Sequence, residues 1–255
     1  MSGTVQLLSQ GPVARVTLSH PGKFNAMSRA MWRELKTVFD HLQLRTDLRC
    51  VIVSGEGGHF CAGGDIAEYP DFRFDEATLR AFHEQDVWGG LAAMLACDLP
   101  ILAQIEGNCM GAGVEIACCC DIRIAGQDAR FGAPIARLGF PMAPREAQLV
   151  ACEVGLPVAR SMLLEAMVFS ADEMMASGFL RAVLPGADVE LDAQVRAQRL
   201  TTLAPQAARL NKQTLRRLAT APLDDGVLAD AYAYADSAEH REGITAFLAK
   251  RPPVF

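Results

Sequence analysis

The chain has 255 residues, 51 % of them hydrophobic and 21 % charged, with a formal net charge of −6. That is ordinary globular composition, long enough for one large domain or for a core with a small appendage. No apolar run approaches the ~18 residues of a membrane span. The acidic balance, with no basic patch, argues against nucleic acid as a partner.

Val5–Leu8 and Val13–Leu18 gather β-formers on either side of Gly11-Pro12 and predict a hairpin. His20-Pro21-Gly22 breaks the pattern. Ser28 then opens a helix to about Arg45, with Met31, Trp32, Leu35, Val38, Phe39 and Leu42 repeating at three and four. Cys50–Ser54 is a short buried strand. Tyr69–Asp75 reads as irregular, and Asp75–Ala96 as a helix with Leu79, Phe82, Val87, Leu91 and Leu95 on one side. Ile101–Ile105 is a second buried strand, followed by a helix from about Gly111 to Cys120 and a strand at Ile122–Ala125. The prolines of Phe140–Pro144 mark a loop, and Arg145–Val154 is a helix candidate. Ser170-Ala-Asp-Glu173 is a capping box for a short helix that Gly178 ends. Beyond Leu191 the strand signals stop. Leu191–Thr202, Pro205–Ala219 and Leu223–His240 predict three helices. Strand–helix units followed by helices predict an α/β core, residues 1–190, with a helical C-terminal region, residues 191–255.

The eight cysteines, at 50, 61, 97, 109, 118, 119, 120 and 152, show no Cys-x-x-Cys spacing and are expected to be buried free thiols. The five histidines are scattered, so no metal is assigned. Met1–Gln10 lacks the basic start and apolar stretch of a secretory signal, and the expectation is a cytoplasmic protein.

Two glycine turns carry the chemistry. Ile101–Ile105 runs through Gly107, Gly111 and Gly113 into an apolar segment that contains Glu115. A strand, a tight turn and a helix start leave backbone N–H groups without intrahelical partners, aimed at whatever sits in the turn. An anion, or an oxygen becoming anionic, suits them. Close helix–strand packing is the plainer alternative. The turn is no P-loop, because no Gly-Lys-Ser/Thr follows, and without a third glycine it is not a dinucleotide fingerprint. A second such transition lies upstream, from Cys50–Ser54 through Gly55, Gly57 and Gly58 to Phe60-Cys-Ala-Gly-Gly-Asp-Ile66. Two loops offering free amides can converge on one oxygen as an oxyanion hole.

Phe60–Ile66 together with Ile105–Glu115 resembles the crotonase (enoyl-CoA hydratase/isomerase) superfamily. His20–Met27, Ala129–Pro134 and Arg241–Arg251 match it in order and spacing, so the resemblance spans essentially the whole chain. It implies a crotonase-like ββα superhelix core with a helical C-terminal trimerisation region. It implies a homotrimer or a hexamer built as a dimer of trimers. The substrate is then an acyl-CoA thioester, with coenzyme A entering as part of it and no separate cofactor.

By position in the motifs, the oxyanion donors are the amides of Ala62 and Ala112, with Gly111 beside the second and Glu115 as acid/base. Lys23 is either a solvated surface lysine or a partner of CoA phosphates. Asp65 and Ile66 match the backbone that meets the adenine. Phe247 and Lys250 match the aromatic and lysine that reach CoA from a neighbouring subunit. In hydratases of this family a second carboxylate follows the proline of Phe-Gly-x-Pro. Here that residue is Ile135, which transfers no proton. Glu115 alone, or Glu115 with Glu146, Arg137 or a residue of Tyr69–Asp75, must then do the work. Arg137 suits a substrate carboxylate, as a CoA-linked decarboxylase or diacid-CoA enzyme would need. An acyl-CoA-binding protein without turnover is the remaining alternative.

Overall fold

The computed structural model describes residues 2–220 and 232–255. β1 (Thr4–Gln10) and β2 (Val13–Ser19) pair antiparallel from Gln10↔Val13 to Thr4↔Ser19, so the hairpin forms where the sequence places it. Downstream follow β3 (Cys50–Gly55), β4 (Ile101–Ile105), β5 (Asn108–Met110), β6 (Ile122–Gly126), β7 (Arg130–Gly132), β8 (Val168–Ser170) and β9 (Ala182–Leu184). The main sheet has the order β1-β2-β3-β4-β6-β9, parallel from β2 onward. Its central strands are covered on both faces, which is why β3 and β4 read as unbroken apolar runs. A smaller sheet has the order β5-β7-β8. β5, β8 and β9 have three residues each, too few to show a period in the sequence.

One unit recurs along the chain: a main-sheet strand, a turn, a second short extended piece, then a helix. The pieces after β2 and β3 meet in the parallel bridge Met27↔Gly64, those after β3 and β4 in Cys61↔Cys109, and those after β4 and β6 in the β5–β7 pair. Each turn therefore stacks on the one before, and the turns after β3 and β4 become neighbours.

Helix α1 (Arg29–Gln43) starts because Ser28 is extended and its side chain accepts from the Met31 amide. It buries Met31, Trp32, Leu35, Phe39 and Leu42, each worth roughly 2 kcal/mol of transfer free energy. Asp75 caps α2 (Glu76–Ala81), which runs on through a π-helical turn, Phe82–Val87, into α3 (Trp88–Ala96). The expected single helix is thus interrupted by a wide turn. It buries Phe82, Asp86 and Val87, with Asp86 held by Arg29 Nε at 2.9 Å and Arg33 Nε at 2.7 Å. The stretch before it is partly regular, since Ile66–Asp71 forms a 3-10 turn capped by Asp65.

α4 (Ala112–Cys118) is shorter than expected because β5 takes the residues before Gly111. α5 (Pro144–Val154) begins with proline in its first turn, where a missing N–H costs nothing. α6 (Leu156–Leu164) follows after Gly155, and α7 (Ala171–Ala176) carries the predicted capping box in full. α8 (Gly186–Thr201) lays Val189, Ala193 and Ala197 on the sheet face formed by Cys50, Ile52, Leu102 and Ile124, so residue 190 falls inside a helix that belongs to the core. α9 (Pro205–Thr220) matches the second C-terminal prediction. Half of the third, Leu223–His240, lies outside the described residues. Within them, 232–236 form a turn, and α10 (Ala238–Leu248) starts only at the Ser237 cap. Seven cysteines are buried free thiols, and Cys152, against expectation, is exposed. Among the described residues no helix is long and apolar enough to cross a membrane.

Candidate active site

The two glycine turns are stitched together by backbone. The Cys61 amide donates to the Asn108 carbonyl and the Met110 amide to the Cys61 carbonyl, both at 2.8 Å. Gly63 (φ 113°) and Gly111 (φ 49°, ψ −111°) hold conformations open in practice only to glycine, and these reverse the chain where the turns touch. α4 begins immediately after Gly111. Gly111 has no side chain to cap it, and no backbone carbonyl among the described residues takes the Ala112 amide.

The first turn departs from the sequence reading. The Ala62 amide donates to the Phe24 carbonyl at 2.9 Å and is not available to a ligand. Phe24 and Asn25 sit at φ 47° and 61°, a bend that brings this carbonyl onto the turn. Two residues on, the Asp65 amide donates to the Met27 carbonyl at 2.8 Å. Between these two committed amides lies Gly64, bridged to Met27 in parallel register and lining the cavity beside Gly111 and Ala112. Among the described residues its amide donates to no backbone carbonyl. Gly64, which the motif reading passed over, therefore offers the free amide.

A cavity of about 320 Å³ opens beside these turns, lined by Ala62, Gly64, Gly111, Ala112 and Glu115 on one side. Ile66, Ile135 and Arg137 also line it, so seven of the eleven predicted site residues come together: Ala62, Ile66, Gly111, Ala112, Glu115, Ile135 and Arg137. The other four do not line it. The Lys23 ammonium is paired with Asp65 at 2.6 Å, and this exposed lysine is engaged within its own chain. Phe247 and Lys250 stand exposed around the C-terminal end of α10.

Glu115 lies in the first turn of α4 and is half-buried, facing the cavity. Burial, then the nearby Glu146 carboxylate, pushes its pKa up to about 8. Loss of hydration penalises the charged form, and a second negative charge penalises it further. Glu146, at the start of α5, is only 2 % exposed, and its Oε1 lies 3.2 Å from His83 Nδ1. His83 sits in the π turn and lines the cavity, so a carboxylate–imidazole pair backs the Glu115 wall. Glu146 is one of several candidates in sequence, but neither its burial nor its pairing with His83 is marked there. Pro144-Arg-Glu-Ala-Gln has the make-up of a solvated helix start, and burial decides otherwise.

Comparison with known proteins fits this geometry. The model of the family described as "Enoyl-CoA hydratase/isomerase" matches residues 9–255. The chain belongs to the enoyl-CoA hydratase/isomerase family. Among its relatives, a probable enoyl-CoA hydratase, echA8, of Mycobacterium tuberculosis is 30 % identical over 249 residues, covering 95 % of this chain and 94 % of that protein. The 2,3-dehydroadipyl-CoA hydratase of Escherichia coli K12 is 30 % identical over 250 residues, 96 % of each. A crystal structure of an enoyl-CoA hydratase/carnithine racemase from Magnetospirillum magneticum superposes with a TM-score of 0.95 at 33 % identity, covering 99 % of this chain and 95 % of that one. The α/β fold is thus shared with crotonase-like enzymes along nearly the full length.

Proposed function

We propose that the chain is an acyl-CoA thioester enzyme of enoyl-CoA hydratase/isomerase type that stabilises an enolate at the Gly64–Ala112 turn. The observation that carries this is the pair of uncommitted amides beside Glu115 in one cavity. When the α-carbon of a thioester loses a proton, or the β-carbon of an enoyl thioester is attacked, negative charge moves to the carbonyl oxygen. Two N–H groups fixed in advance stabilise that charge without reorganising, and each is worth roughly 3 kcal/mol of barrier. Coenzyme A enters with the substrate, its phosphates outside the apolar cavity.

Glu115, with a pKa near 8, is the proton carrier. Mostly protonated at pH 7, it delivers a proton to the α-carbon of an enolate; once ionised, it removes one. With Ile135 in the wall where hydratases of the family keep a second carboxylate, Glu115 acts alone, taking a proton from the α-carbon of a 3-enoyl thioester and returning it to the γ-carbon, which is double-bond migration. Water addition is the second reading, and the buried Glu146–His83 pair favours it by offering a base behind the same wall. The recurring strand–turn–helix unit is read as successive turns of a superhelix. Phe247 and Lys250 are read as reaching CoA on a neighbouring subunit of a trimer or hexamer, in a cytoplasmic enzyme.

The test is mass spectrometry of crotonyl-CoA and 3-butenoyl-CoA incubated with the protein in D2O. Deuterium at the α-carbon, lost in Glu115→Gln while thioester binding persists, is the expected result. Exchange undiminished in that variant would remove Glu115 from the mechanism. Glu146→Gln separates the two readings: it stops water addition if Glu146 is the second base and leaves migration running if it is not.

A further inference from the structure

One wall of the cavity carries a cation that proton transfer at the thioester does not require. Arg73 lies in the irregular segment between the 3-10 turn and α2 and lines the cavity. The Cζ atom stands 3.7 Å from the centre of the Phe140 ring and 4.5 Å from that of Tyr69. The two rings themselves meet edge to face at 5.9 Å. Loss of hydration presses the Arg73 pKa down, and no carboxylate among the described residues pairs with it. By contrast, Arg145 lies 3.0 Å from Glu84, and Arg29 lies 2.9 Å from Asp86. Arg73 is different in that it is partly dehydrated, held close to two aromatic rings, and, among the described residues, makes no side-chain hydrogen bond or ion pair. Stacking holds a guanidinium by its plane and leaves the in-plane donors to a planar anion. A dehydrated cation without a counter-ion is costly, and a ligand that supplies one recovers that cost.

Tyr69 connects this cation to the reacting end of the cavity. Its hydroxyl packs against Gly64, where any side chain would collide with it, while its ring lies under Arg73. The free amides and the guanidinium are therefore separated by the span of one tyrosine side chain. The cavity lining is largely apolar, including Phe82, Met142 and Leu138. A thioester carbonyl at Gly64 would send a short acyl chain along Tyr69 and end it at Arg73.

Building on the enoyl-CoA reading, we propose that the acyl group this site prefers ends in a carboxylate, which Arg73 binds through a bidentate ion pair. Arg137 is the weaker candidate for that role. It is exposed, and its Nη2 already donates to the Ala166 carbonyl at 3.2 Å.

The experiment compares two six-carbon 2-enoyl-CoA substrates, one ending in a carboxylate (2,3-dehydroadipyl-CoA) and one ending in methyl (trans-2-hexenoyl-CoA). Turnover and dissociation constants are measured for both, with free CoA as a third ligand. The wild-type protein is expected to favour the carboxylate-ended thioester at least ~10-fold in kcat/KM and in affinity, the scale of a charged hydrogen bond. In Arg73→Met that ratio collapses toward one, through KM. In Arg73→Lys, which keeps the charge but loses the stacked fork, it falls part-way. No preference in the wild type, or an equal preference in Arg73→Met, overturns the proposal. So does an equal loss of free CoA binding in Arg73→Met, since the arginine would then hold phosphate. A protein that hydrates neither substrate removes the water-addition reading, while the affinity ratio still decides for or against the carboxylate subsite.

Discussion

Replacing Glu115 with glutamine should make the protein more stable at neutral and alkaline pH while stopping its chemistry. An unfolded glutamate ionises near pH 4.5, whereas the folded carboxyl holds its proton until about pH 8. Between those values the native state binds more protons than the unfolded state, so stability falls as pH rises. Its contribution is fully favourable only below the unfolded pKa, and the loss levels off above the folded one. At 1.36 kcal/mol per unit, the linkage between pH 5 and pH 8 removes about 3.5 kcal/mol, or nearer 2 if cavity water screens the half-buried group. Glutamine has no proton to lose and escapes this penalty. Urea unfolding of both proteins at pH 5, 6, 7 and 8 checks it. The gap in unfolding free energy should widen with pH in favour of the variant, with m-values unchanged. Two curves that run parallel from pH 5 to 8 would mean that Glu115 titrates normally, and the reasoning for its role as an acid at neutral pH would fail.

Three further outcomes follow from particular contacts. Ala112→Pro removes one N–H at the first position of α4, where proline is tolerated, so turnover should drop about 10²–10³-fold while the melting temperature stays close to the wild type. Gly113→Ala would place a Cβ 2.6 Å from the Cys61 carbonyl oxygen and 3.1 Å from its Cβ, forcing the two turns apart. A destabilisation of roughly 1–3 kcal/mol by denaturant titration, together with lost turnover, is expected. Ser170→Ala deletes the capping box of α7, away from the cavity, and should cost about 1 kcal/mol with kcat/KM unchanged.

Sequence and structure agree where local chemistry decides. Ser28 and Ser170 cap the helices they were expected to cap, because a short hydroxyl side chain satisfies an amide wherever the fold puts it. The apolar runs of β3 and β4, and the glycines after them, marked both turns of the site. Which amide in the first turn is free was not legible. It depends on Phe24 and Asn25 bending at positive φ to place a carbonyl against Ala62, a contact 38 residues apart in the chain with no local trace. The π turn left one weak sign, the five-residue step from buried Phe82 to buried Val87, which fits a wide turn better than 3.6-residue spacing. Glu146 and Arg73 look like ordinary surface charges in sequence. Burial against His83 and stacking between Tyr69 and Phe140 give them their character, and both come from segments brought together only by the fold.

The convergence of the Gly64 and Ala112 amides on one thioester oxygen is tested most directly by the carbonyl 13C resonance of crotonyl-CoA labelled at C1 and bound to the inactive Glu115→Gln protein. Two donors on the oxygen polarise the carbonyl, so the resonance should move downfield on binding, and by less in the Ala112→Pro, Glu115→Gln double variant. A bound resonance at the position of the free thioester, identical in both proteins, would contradict the account.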